Sequence, residues 1–307
     1  MYDLIIIGAG PAGMSAGIFA ARRKLNFLIL SLDVGGQMAW SSEVDNYPGI
    51  PDVTGVEIVN KFKEHMRDYK IKIKNEEVKR VRKKGKLVEV KTDKNLYQSK
   101  AVIISSGKKP KKLNVKGEDK FSVKQGLSYC AVCDISFCKN KKVAIVGSGN
   151  SGLEAATYLS KYAKKVYILE MMPKLMGEKY LKDKILRDKK VSVITGAKIK
   201  EIFGNKSVGG LKYEKGGKEQ NLKVERIFVE IGLISKSDFT DAKKNKWGEI
   251  MIFRSTKTNE ENLTSVEGIF AAGDCTDIPA KHIIVAAGEG AKAAIASFDC
   301  INKWGKS

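Results

Sequence analysis

Within the first thirty residues the apolar positions change period twice. Leu4 to Ile7 is an unbroken apolar run ending at Gly8, the pattern of a short strand buried on both faces. Ala16, Phe19 and Ala20 then recur at helical spacing as far as Arg22, and Phe27 to Leu30 form a second apolar run. The same succession returns in the middle of the chain. Val143 to Val146 are apolar, Leu153, Ala156, Tyr158 and Leu159 follow at helical spacing, and Val166 to Leu169 close the unit ahead of Glu170. A further apolar run, Ile269 to Ala272, leads into Gly273 and Asp274. Strand, helix and strand in alternation predict an α/β fold with two Rossmann-like, three-layer domains.

Each unit opens onto glycines at GxGxxG spacing: Gly8, Gly10 and Gly13 first, then Gly147, Gly149 and Gly152. Such glycines permit a tight turn and let a pyrophosphate approach the helix N-terminus, where unpaired N–H groups favour negative charge. Two dinucleotide units in one chain suggest two nucleotides, one handing a hydride to the other. For the second unit a purely scaffolding role also stands. A ribose-binding carboxylate is expected roughly twenty residues past each loop. Asp33 falls there in the first unit, as a ribose ligand or as a plain loop residue, and Glu170 stands at the end of the closing strand in the second.

With 307 residues, 43% of them hydrophobic, the chain can bury two cores. No apolar run reaches the roughly eighteen residues of a membrane span, and the N-terminal run lacks the basic region and cleavage site of a secretory signal. A cytoplasmic location without membrane attachment is expected. Net charge is +21, but only eight of the 56 basic residues are arginine, and the lysines are scattered in twos and threes. Readers of bases and phosphates favour arginine forks. The charge therefore reads as a solvated lysine surface or a docking face for an acidic protein, and not as a nucleic-acid site.

Five cysteines, an odd number, do not read as a disulfide framework. Cys130 and Cys133 stand in "YCAVCD". Structural zinc needs four ligands; Cys138 offers a third, but the only histidines are His65 and His282, and no second CxxC exists. A passive staple across so short a loop gains little closure entropy. Redox exchange is the reading these residues favour. Asp134, next to the pair, is a candidate general acid and base, or a cap for the turn that follows. Cys138 is either a bystander or a third thiol. Cys275 and Cys300 read as small, partly buried residues, and His65 as a surface residue of the helix in "GVEIVNKFKEHMRDY".

Taken in order, "GAGPAGMSAGIFAAR", "GGQM" with "NYPGI", "CAVCD", "GSGNSG", "GIFAAGD" and "AAGEGAKAA" make the chain resemble the low-molecular-weight thioredoxin reductases, within the two-dinucleotide flavoprotein disulfide reductases. The resemblance covers nearly every residue. It implies that FAD binds the first unit, with Gly8, Gly10 and Gly13 at the pyrophosphate, and Gly36, Gln37 and Asn46 along the flavin. It further implies Gly273 and Asp274 at the ribityl chain. His282, with Ile283 beside it, falls where the family has a glutamine near the flavin ring. A domain of 114–243 would then be inserted into an FAD domain of 1–113 and 244–307, turning on hinges near 113 and 243. By the same resemblance Cys133 faces the flavin and Cys130 attacks the disulfide of a thioredoxin- or glutaredoxin-like protein. A homodimer is expected on that ground alone.

The donor site departs from the family pattern. Where NADPH-using relatives carry a His and Arg cluster for the 2′-phosphate, this chain reads "YILEMMPKLMGEKY", with Glu170 where that phosphate would approach. A carboxylate repels a phosphate and accepts hydrogen bonds from unphosphorylated ribose. The family's "GxxPN" is here "IGLISKS". Two readings stand: NADH as donor with Glu170 on the ribose, or ferredoxin or a deazaflavin in place of a nicotinamide. Two other functions stay in play, a flavin ferredoxin–pyridine-nucleotide oxidoreductase with incidental cysteines, and a non-enzymatic basic flavoprotein.

Overall fold

The computed structural model describes residues 1–41, 44–131, 133–257 and 260–303. The chain divides into two units, one made of Met1–Lys109 with Ile234–Ser307, the other of Pro110–Leu233.

The first unit begins with β1 (Tyr2–Ile7), α1 (Pro11–Arg22), β2 (Phe27–Leu30), α2 (Gly55–Asp68) and β3 (Ile73–Lys74). A hairpin-linked set follows, β4 (Val78–Lys84), β5 (Leu87–Thr92) and β6 (Leu96–Ile104), and then the crossing strand β7 (Lys108–Pro110). The second unit holds β8 (Leu127–Ser128), β9 (Lys142–Val146), α3 (Asn150–Leu159), β10 (Lys165–Glu170), α4 (Lys179–Arg187) and β11 (Val191–Thr195). It continues with β12 (Lys198–Gly204), β13 (Val208–Lys215), β14 (Lys218–Leu222), β15 (Arg226–Val229) and the return strand β16 (Leu233–Ser235). Back in the first unit come β17 (Ile269–Ala271) and α5 (Ile283–Lys303).

In the first unit the sheet runs β3-β2-β1-β6-β5-β4, with β17 on β6. Strand β6 divides its pairing by halves. Leu96–Ser99 pair antiparallel with β5, whereas Ala101–Ile104 pair parallel with β1, and Val102–Ile104 also with β17. The second half is apolar and buried throughout, as a strand paired on both edges and covered on both faces must be. One face of the sheet carries a core of Leu4, Ile6, Met14, Ile58 and Phe270; the other carries Ile5, Leu30, Val90, Val102 and Ile250. Alternate residues of β1 thus serve opposite layers.

Helices α1 and α5 pack closely because glycine stands at their contact. A Cβ on Gly290 would lie 2.0 Å from Ala12 O, and one on Gly17 would lie 2.8 Å from Ile29 Cδ1 beneath the helix. In the second unit the five parallel strands β11-β10-β9-β15-β8 form one sheet and β12-β13-β14 an antiparallel one.

The boundaries differ from the expected 113 and 243: the chain crosses at 109/110 and 233/234. The first crossing is four residues early and the second ten, because residues just after β16 belong to the first unit's core. Val81 N–H donates to Phe239 O at 2.7 Å, Val81 and Thr240 form a parallel bridge, and Ala242 is buried with Val81 and Val88. The bounds at 113 and 243 came from the family resemblance, whereas the pairing edge lies upstream of 243. The crossing strands β7 and β16 pair with each other as a two-stranded ribbon.

Gly290 and Gly288 give a paired test of the α1–α5 contact. Gly290→Ala forces the helices apart and is expected to cost about 1–3 kcal/mol in urea unfolding. At Gly288, where an added Cβ meets nothing within 4 Å, alanine is expected to gain about 0.5–1 kcal/mol from helix propensity.

Candidate active site

Two glycine loops and one cysteine loop carry the chemistry. In the first loop Gly8 has φ +101°, and a Cβ there would fall 2.3 Å from Ser105 O. A Cβ on Gly13 would fall 1.9 Å from Gly8 O. Strand end, turn and helix start are thereby pressed backbone to backbone. Gly10 differs, since its Cβ would meet only Gly35 O, at 3.9 Å. Helix α1 begins there with Gly10 as N-cap, no side-chain cap, Pro11 in the first turn and no acidic residue. Its first N–H groups have no side-chain cap and no acidic neighbour in the first turn, which suits a pyrophosphate.

Around that loop stand most of the residues expected from the sequence. Gly36 (φ +54°) is close enough that its Cβ would contact Gly10 Cα at 3.4 Å. Gly273 abuts Ala12, with Cβ to Cβ at 3.0 Å were a side chain added. Gln37 Nε2 donates to Asp274 Oδ2 at 3.2 Å. Burial raises the Asp274 carboxyl, while Lys281, Lys108, Gln37 and His282 oppose the shift. Those two lysines are held by Glu249, at 2.8 Å to Lys108 and 3.3 Å to Lys281. His282 is exposed, and its carbonyl accepts Ala286 N–H at 2.9 Å at the start of α5. Ile283 packs at the edge of the core. Asn46 is exposed in a coil segment.

Asp33 is also exposed. Strand register singles out a different residue, Ser31. Ile7 pairs with Leu30 and Val146 with Leu169, so Ser31 in the first unit corresponds to Glu170 in the second. The bonds agree: Ala9 N–H donates to Ser31 Oγ at 3.2 Å, and Ser148 N–H donates to Glu170 Oε2 at 2.9 Å. Laying one unit's sequence over the other would have revealed Ser31.

The second loop repeats the first. Gly147 has φ +107° with a Cβ position 2.2 Å from Glu230 O, a Cβ on Gly152 would fall 2.3 Å from Gly147 O, and Gly149 has nothing within 4 Å. Glu170 is buried at the strand end. It accepts from Ser148 N–H and Ser148 Oγ–H at Oε2, and from Met172 N–H at Oε1. Of about four acceptor positions on a carboxylate, three are engaged and one is left. The chain after it folds back on the loop: Gly177 N–H donates to Ser148 O at 2.8 Å, and Glu178 N–H to Asn150 Oδ1 at 2.9 Å.

Cys130 and Cys133 form a disulfide. Cys133 is exposed and Cys130 half-buried. Strand β8 ends at Ser128, directly before the pair, and its hydroxyl organises the loop. It donates to Asp134 Oδ2 and accepts Cys130 N–H at 3.0 Å. Cys133 N–H donates to Cys130 Sγ at 3.2 Å. Asp134 occupies the N-cap position of the turn Ile135–Cys138 yet makes no side-chain cap there, so its carboxyl is committed to Ser128 instead. Cys138 is fully buried and donates to Asp134 O. Burial pushes its thiol up to about 11, with Arg226 and Lys141 opposing. It is therefore neutral and inert at physiological pH. Cys275 is buried with its thiol raised for the same reason, and Cys300 is half-buried. Sequence reasoning missed Ser128; a hydroxyl two residues before CxxC was its only signal.

Residues 2–292 match the family described as pyridine nucleotide-disulphide oxidoreductase. An NADH dehydrogenase of Bacillus subtilis is 34% identical over 97% of the chain, which spans 58% of that relative's length. A thioredoxin reductase of Buchnera aphidicola is 38% identical, with 97% of each chain covered. The crystal structure of the T. acidophilum thioredoxin reductase superposes with a TM-score of 0.84 at 36% identity, covering 98% of this chain and 99% of that one.

The cysteine assignments predict a labelling pattern. After mild reduction at neutral pH, iodoacetamide is expected to modify Cys130 and Cys133 and to leave Cys138 unlabelled until the chain is unfolded, as read by peptide mass.

Proposed function

Because the chain belongs to the pyridine nucleotide-disulphide oxidoreductases, on the thioredoxin reductase branch, we propose that it is an FAD-dependent reductase. In this reading electrons pass from NADH through the Cys130–Cys133 pair to the disulfide of a thioredoxin- or glutaredoxin-like protein. The observation that carries the reading is the Cys130–Cys133 disulfide, with Cys133 exposed and Cys130 half-buried, and with Asp134 and Ser128 directly attached to its loop.

The first glycine loop fits FAD. Ala12 and Gly13 at the start of α1 would hold the pyrophosphate, Gly36 and Gln37 the flavin side, and Asp274 the ribityl chain. When bound, the flavin supplies two-electron transfer between a hydride donor and a disulfide. The remaining work belongs to side chains of this chain. Cys133 N–H, aimed at Cys130 Sγ, would stabilise negative charge on that sulfur once the disulfide opens, which favours Cys130 as the attacking thiolate. That thiolate forms a mixed disulfide with the protein substrate; Cys133 then attacks Cys130 Sγ, closing the ring and releasing the substrate as a dithiol. In this reading Asp134, the residue after Cys133, would hand a proton to a departing sulfur and retrieve it, with Ser128 fixing its orientation.

The donor assignment rests on Glu170. Its one open acceptor position suits a ribose hydroxyl, and its charge opposes a 2′-phosphate. The NADH-using name of the Bacillus subtilis relative supports the same choice.

Anaerobic bleaching of the flavin separates the donors. NADH is expected to bleach it at least about tenfold faster than NADPH, equivalent to ~1.4 kcal/mol of discrimination, and Glu170→Ala is expected to shrink the difference. Cys133→Ser should keep the bleaching and lose turnover of protein disulfides. Bleaching by reduced ferredoxin but by neither nicotinamide would overturn the donor assignment.

A further inference from the structure

Ser148 stands between the first two glycines of the second loop, and it is fully buried. Its polar atoms are all engaged with the end of β10 or with the segment that follows it. Ser148 N–H donates to Glu170 Oε2 at 2.9 Å, and its hydroxyl donates to the same oxygen. That hydroxyl also accepts Met176 N–H at 3.1 Å, and the Ser148 carbonyl accepts Gly177 N–H at 2.8 Å. The direction of these bonds is fixed. A peptide N–H can only donate, so Met176 makes the hydroxyl oxygen an acceptor on that side, and its single hydrogen is left for Glu170.

Glu170 is held as firmly. Its carbonyl accepts Ala197 N–H at 2.9 Å, and Gly196 N–H donates to Met172 O at 3.0 Å, which fixes the strand end and the turn after it. The two carboxylate oxygens are nevertheless unequal. Oε2 receives two hydrogens, both from Ser148, whereas Oε1 receives one, from Met172 N–H at 2.9 Å. Each oxygen of a carboxylate offers about two acceptor positions. Oε2 is therefore full, and Oε1 has one place open.

A ribose carries two neighbouring hydroxyls, and a carboxylate with an open position on each oxygen can receive both. This one cannot. We propose that Ser148 is a positioning residue of the donor site, one that fills Glu170 Oε2 and so restricts the carboxylate to a single hydroxyl of the adenosine ribose. The proposal rests on reading the second loop as the NADH site. The hydroxyl received is the 2′, the one that carboxylates at this point of a dinucleotide fold bond. The 3′ hydroxyl has no partner on Glu170. A donor altered at 2′ loses the contact at Oε1, whereas a donor altered at 3′ loses nothing there. The site is accordingly strict at 2′ and tolerant at 3′. Removing the Ser148 hydroxyl frees one position on Oε2, while the peptide N–H of residue 148 keeps the other. The carboxylate then offers one place on each oxygen and can receive both hydroxyls.

The test is calorimetric titration of the intact, oxidised flavoprotein with NAD+ and with its 2′-deoxy and 3′-deoxy adenosine-ribose analogues. The oxidised nucleotide has no hydride to give, so binding is read without turnover. Wild type is expected to bind the 2′-deoxy analogue at least about tenfold more weakly than NAD+, and the 3′-deoxy analogue within about twofold of it. Ser148→Ala is expected to acquire a 3′ penalty of about fivefold. Ser148→Gly, which lacks the hydroxyl as well, serves in its place should alanine not fold. Mere loosening of the loop would weaken all three ligands alike and leave their ratios unchanged. A wild-type penalty at 3′ that reaches the one at 2′, or a variant without the hydroxyl that still ignores 3′, overturns the proposal and leaves the donor assignment standing. A wild type that binds neither NAD+ nor its analogues overturns the donor assignment itself, so the two failures are distinct.

Discussion

Everything functional in this chain hangs from one kind of contact, backbone pressed on backbone where only glycine fits. It occurs twice. Gly8 turns against Ser105 O and Gly13 against Gly8 O; Gly147 turns against Glu230 O and Gly152 against Gly147 O. Each contact joins a central strand, its parallel neighbour and a helix start, so the helix N–H groups are presented at the C-terminal edge of the sheet. A single Cβ in either turn would open that edge.

Four carboxyls placed by this scaffold illustrate how surroundings divide the work. Glu170 is saturated by the loop beside it, with one acceptor position to spare. Asp134 is engaged by a hydroxyl and free of any capping duty. Asp274 is raised by burial but surrounded by Lys281, Lys108 and Gln37. Glu230 is half-buried, and burial with the nearby charge of Glu154 raises its carboxyl. The four settings differ, and the roles proposed for Glu170, Asp134 and Asp274 follow from those settings and not from Asp or Glu as a residue type.

Much of the fold was legible because its signals are local. Unbroken apolar runs gave β1, β9 and β17, and the GxGxxG spacings gave both turns. Ordered motifs along the chain carried the family and, with it, the discontinuous first domain. What was illegible depends on pairing across distance. The second boundary was read ten residues late because Phe239, Thr240 and Ala242 join a sheet edge formed by Val81, about 160 residues earlier in sequence. Ser31 is visible only once strand register equates it with Glu170. That the Asp134 carboxyl meets Ser128 and does not cap its own turn depends on where one hydroxyl points, and spacing does not reveal that.

The central claim is a division of labour between the two glycine turns, the first holding a flavin and the second a hydride donor. Flavin content and anaerobic NADH reduction, measured together on Gly13→Ala and Gly152→Ala, test it most directly. The account predicts that Gly13→Ala is purified without yellow colour, and that Gly152→Ala keeps its full flavin but is no longer bleached by NADH. A Gly152→Ala protein bleached by NADH at the wild-type rate would contradict it.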